Sequence, residues 1–156
     1  MKRFHLATVA ALAVAVGMTA LATAATPPRT ATILIHHQLH GCHAWSVNGG
    51  PFRASQTVLL RRGGSMTVTN DDVMPHHLIK VSGHSVRMSS GESMPMHMGH
   101  DYDEAPGHMD HMGATTKVVF ASAGTYRFKT VAGEDYMAGV HTVGPDNQLR
   151  LTVTVR

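Results

Sequence analysis

Cysteine is almost missing from this chain: Cys42 stands alone among 156 residues. No disulfide can close within one molecule, so Cys42 is left as a free thiol, an intermolecular bridge or a metal ligand. Long apolar runs are also missing, except at the N-terminus. No segment holds a helical stripe over ten residues. No internal repeat or second domain is visible. There is no excess of charge of one sign once the N-terminal segment is set aside, and nothing argues for nucleic acid. No constellation for nucleophilic catalysis stands out beyond Cys42 and the histidines near it, so an enzyme is not expected.

The N-terminus carries the one long apolar run. Lys2 and Arg3 precede a stretch from Leu6 to Leu21 of apolar or small residues, and Ala22-Thr23-Ala24 follows. That is the layout of a secretory signal peptide, with cleavage expected after Ala24. An uncleaved membrane anchor is the alternative, although the run is short against the roughly 20 residues a span needs. Removing residues 1–24 takes away Lys2 and Arg3, so 13 cationic residues become 11 against 10 acidic ones and the net charge falls from +3 to about +1. The expected setting is the periplasm, the cell envelope or the extracellular medium. Contact with a membrane is expected only if the segment stays attached.

Histidine and methionine are abundant instead. The chain has 13 His and 11 Met, and they cluster. Residues 94–112 read MPMHMGHDYDEAPGHMDHM. The stretch holds Met94, Met96, Met98, Met109 and Met112, interleaved with His97, His100, His108 and His111. It has no β-branched residue and no apolar face to bury, which predicts a mobile loop. Thioether sulfur is a soft donor that selects Cu(I), and imidazole accepts Cu(II) as well. A tract mixing both suits copper in either oxidation state.

Outside the tract the patterns are those of strands. Thr30–His36 alternates around Ile33 and Ile35. Further short strands are predicted at Thr57–Leu60, Met66–Thr69, His77–Ser82, Lys117–Phe120, Thr125–Thr130 and Leu149–Val155. Gly, Pro and Asn separate them. The prediction is an all-β, antiparallel Greek-key sandwich over residues 30–156, with residues 88–114 as a flexible insertion. Trp45 reads as a packing residue.

Two motifs sit within these strands. Val68-Thr69-Asn70-Asp71-Asp72-Val73-Met74-Pro75-His76 ends a strand in Asn and places Pro-His after a short loop. Gly124-Thr125-Tyr126-Arg127-Phe128-Lys129-Thr130 follows a Gly-x-Tyr-x-Phe-x pattern. Together with the strand order they resemble the cupredoxins, the plastocyanin-like copper proteins. The resemblance implies that His76 is a copper ligand, steadied by Asn70, and that Met137 lies near the axial position. It also marks two departures. Thr130 stands where the family has its thiolate, and Gly133 where it has a second His. The fold analogy puts the loop after the first strand beside the copper loops. A rebuilt site would then draw on Cys42 and His43, with His76, His77, Met137 and His141, and His40 as a weaker candidate. Strand parity favours His77 over His76, because His77, Ile79 and Val81 share one apolar face, while the motif favours His76.

The function expected from these features is binding of copper, Cu(I) or Cu(II), for sequestration, buffering or delivery, with a copper donor or acceptor protein as partner. Electron transfer through a rebuilt centre and a metal-free interaction module are the alternatives.

Overall fold

Alternation of apolar and polar side chains decides which face each strand buries. The computed structural model describes residues 25–37, 43–92, 105–132 and 148–156. Strand β1 (Thr30–His37) buries Ala31, Ile33 and Ile35, turns Thr30 and Thr32 outward and leaves Leu34 half-buried. Strand β2 (His43–Val47) runs antiparallel to it, with Ile35 opposite Trp45 and His37 opposite His43. Strand β3 (Ser55–Leu60) lies in the other sheet. Strand β4 (Ser65–Asp71) returns to lie parallel to β1, with His36 opposite Asp71. The remaining strands are β5 (His76–Ser82), β6 (Arg87–Glu92), β7 (His108–Met109), β8 (Ala114–Val119), β9 (Gly124–Ala132) and β10 (Gln148–Val155).

Two five-stranded sheets result, in the orders β2-β1-β4-β8-β6 and β3-β10-β9-β5-β7. Their inner faces enclose a core built around Trp45, Phe120, Tyr126, Phe128, Ile33 and Leu60. Phe120 meets Tyr126 edge-on at 4.9 Å between ring centres, and the Tyr126 hydroxyl donates to the Ser122 carbonyl at 2.7 Å. The all-β sandwich expected from the strand patterns is therefore present, and no helix occurs among the described residues. Two pairings, β1 with β4 and β3 with β10, run parallel where antiparallel ones were expected. The chain crosses to the opposite sheet between such partners, so direction follows from a path that no local pattern encodes.

The expected insertion 88–114 is much smaller than its composition suggests. Residues 88–92 belong to β6, which pairs with β8. Met109 in β7 is fully buried in the core. β7 pairs antiparallel with β5, placing His108 opposite His77 and Met109 opposite His76. Gly107 makes the turn into β7 at φ +98, and its carbonyl accepts from the Leu78 amide at 2.7 Å. An unbranched thioether fills an irregular gap well, so a methionine in a polar tract can still serve a core. Residues 93–104 lie outside the described residues, as does the segment 1–24 expected to direct export. No described helix is long and apolar enough to cross a membrane.

Candidate metal centre

β4 continues its inward parity past its own end. Met66, Val68 and Asn70 are buried, and Asp72, one step beyond the strand, is buried too. Asn70 organises this corner. Its amide nitrogen donates to the carbonyls of Met74 at 2.8 Å and Met109 at 3.0 Å. Its side-chain oxygen accepts from the Asp72 amide at 2.9 Å. One side chain thus fixes the β4–β5 turn and ties it to β7.

Asp72 is the centre of the site. Its Oδ1 accepts from the Met74 amide at 3.2 Å. Its Oδ2 lies 2.8 Å from His43 Nδ1 and 3.1 Å from His76 Nε2. A carboxylate oxygen only accepts, so both rings place an N–H toward it. His37 approaches from β1, with Nδ1 3.9 Å from Oδ1. The rings of His43 and His76 meet edge-on at 5.0 Å, and those of His37 and His43 at 5.8 Å. His43 comes from one sheet and His76 from the other, so the cluster closes one end of the sandwich.

Burial by itself would raise the Asp72 pKa. The hydrogen bonds from His43 and His76, the Met74 amide and the charge of His76 outweigh it and hold the carboxyl well below its usual range. Burial is also the main influence on His76, lowering its pKa against the opposing pull of Asp72. Thr130, fully buried, points its hydroxyl at His76 Nδ1 across a long 3.4 Å. A hydroxyl therefore stands beside His76 where the resemblance leads one to look for a thiolate. The described residues supply two imidazoles and no thiolate, and Cys42, the chain's one thiol, lies outside them. What they supply is nitrogen and oxygen: ligand atoms of His37, His43 and Asp72 lie within 4.8 Å of one another, close enough to hold a metal ion.

Of the residues singled out from the sequence, His43 and His76 are brought together here. His77 is not. It points away from the buried pair and stacks on His108 at 4.0 Å between ring centres. The parity reading that put His77 on the core face is corrected: His76 and Leu78 face inward, while Val81 is 57% exposed. Burial, with the charge of His108 second, lowers the His77 pKa. His77, His108 and Asp110 line an open depression with Pro75 and Val131. His111 and Met112 lie in the turn before β8, with Met112 exposed. Cys42, His40, Met94, Met96, His97, Met98, His100, Met137 and His141 lie outside the described residues. Sequence reasoning passed over His37 and Asp72. The signal for both was parity, since His37 continues Ile33 and Ile35, and Asp72 continues Val68 and Asn70.

No protein-family model matches the chain, and no curated protein does. Solved structures resemble it at low identity. An inclusion body protein from Burkholderia cenocepacia is 8% identical, covering 84% of this chain and 98% of its own, with a TM-score of 0.45. A Cu(I) form of an amicyanin mutant is 15% identical over 80% of this chain and 82% of its own, TM-score 0.37. Reduced rusticyanin is 15% identical over 82% and 80%, TM-score 0.37. The last two are cupredoxins. At these scores they lend this chain neither ligands nor a function.

Proposed function

We propose that this chain is an exported copper-binding protein that sequesters, buffers or hands on copper outside the cytoplasm. The observation that carries the reading is the pairing of β7 with β5. It holds the end of the Met/His tract directly alongside His76 and His77. One soft donor, Met109, thus enters the fold opposite His76 of the buried imidazole pair, and a thioether beside imidazoles suits capture and transfer of copper. Export rests on the pattern of residues 1–24, and a protein that gives or takes the copper is its expected partner. Electron transfer is less well supported, because Thr130 offers His76 a hydroxyl in place of a thiolate.

Metal analysis of the purified chain tests the reading. Changing Met94, Met96, His97, Met98 and His100 together to Ser is expected to lower copper capacity and leave the thermal midpoint unchanged. Equal capacity in both proteins would sink the proposal. Cys42→Ser belongs in the same series: a change in copper stoichiometry or visible absorption makes the thiol a ligand, and no change in either removes it from the site.

A further inference from the structure

We infer that His37, His43 and Asp72 form a centre for a divalent transition-metal ion, Cu(II) ahead of Zn(II). The centre stands on its own geometry, apart from the copper-binding reading of the Met/His tract above. Its donors are two imidazoles and a carboxylate whose ligand atoms lie within 4.8 Å of one another. The group contains no sulfur. Carboxylate oxygen is a hard donor that gains little from a soft monovalent ion, whereas nitrogen–oxygen sets suit divalent ions, with Cu(II) bound more tightly than Zn(II).

The group is also built in advance. Asp72 is held at its amide by Asn70, at Oδ1 by the Met74 amide and at Oδ2 by His43 and His76. The side chains of Asp72 and His43 are 0% and 1% exposed, while that of His37 is 44% exposed. The centre therefore opens to solvent on the His37 side, which provides a path for the ion. His43 Nδ1, 2.8 Å from Oδ2, is the ring nitrogen that faces the carboxylate, and an ion bound there takes the place of the hydrogen bond between them. His76, bonded to the same carboxylate oxygen, acts as a positioning residue.

The test uses the full chain with Met94, Met96, His97, Met98 and His100 changed to Ser, so that the tract's main donors are silent. Zn(II) is added while the ring nitrogen resonances of His37 and His43 are followed by NMR. One equivalent is expected to shift both rings. Cu(II) should compete the Zn(II) away, and Cu(I), added anaerobically, should leave both rings unshifted. His37→Ala, at a half-exposed position that tolerates truncation, is expected to weaken Zn(II) by at least the roughly tenfold lost when a supporting partner of a ligand is removed. Rings unmoved by Zn(II), affinity unchanged in His37→Ala, or a Cu(I) shift equal to that of Zn(II) would each overturn the inference. Failure of the copper-binding reading looks different: the unmodified tract would add no copper capacity while the Zn(II) shifts persisted.

Discussion

A carboxylate with no exposed surface survives at position 72 because both of its oxygens are bonded. Its partners are two ring nitrogens and a backbone amide, and each hydrogen bond to the charge is worth about 1.5–3 kcal/mol. Asp72→Ala strips all of them and leaves His43 and His76 facing a void. A loss on the order of 3 kcal/mol or more in urea denaturation is expected. The pH dependence follows from the same contacts. The Asp72 pKa is lowered, so its contribution is present above the ordinary value of 3.8 and is lost as pH falls through its folded value. The His76 pKa is also lowered, from 6.5, so the unfolded chain takes that proton first. Stability should be full above about pH 6.5, decline below it, and decline again below about pH 3.8. His76→Gln should shrink the first decline, and the second as well because His76 is one of the groups that hold the Asp72 pKa down, measured by denaturation across the acidic range. Asp72 was hard to notice in the sequence because an isolated acid after a strand reads as turn chemistry.

The strand that matters most here is the shortest. β7 has two residues, yet Met109 puts a fully buried side chain into the core and Asn70 bonds its carbonyl. Met109→Ala should cost about 2–5 kcal/mol, the usual range for truncating a buried methionine. Met112→Ala, three residues on and exposed, should fall within about 0.5 kcal/mol of the parent. Thermal or urea unfolding of the two variants separates the anchored end of the tract from its solvent-facing part. Gly107→Ala should destabilise as well, because φ is +98 there and an added Cβ would lie 2.8 Å from the Leu78 carbonyl oxygen. None of this was legible from composition. A two-residue strand has no period to read, and its methionine looks like its neighbours until the partner strand is known. For the same reason His76 and His77 could not be separated by parity. Ile79 and Val81 are apolar on the outer face, while the inward series of His76 and Leu78 ends at the exposed Lys80.

Across the whole molecule, the site belongs to no single element. His37 and His43 come from β1 and β2, Asp72 from the turn after β4, and His76 from β5 in the opposite sheet. The resemblance of two motifs to the cupredoxins pointed to Asn70 and His76. The sequence by itself determined the signal-like pattern of residues 1–24, the concentration of soft donors in residues 94–112 and the strand content. These are local properties, written in composition and in a period of two. Only the tertiary structure decided that β1 and β4 run parallel, that the tract is pinned at Met109, and that His37, His43 and His76 converge on Asp72. His43 and Asp72 are 29 residues apart, and no local pattern links them. They meet because burying the inner faces of two sheets fixes strand order and register, and that order carries one polar residue from each of several strand ends to the same end of the sandwich.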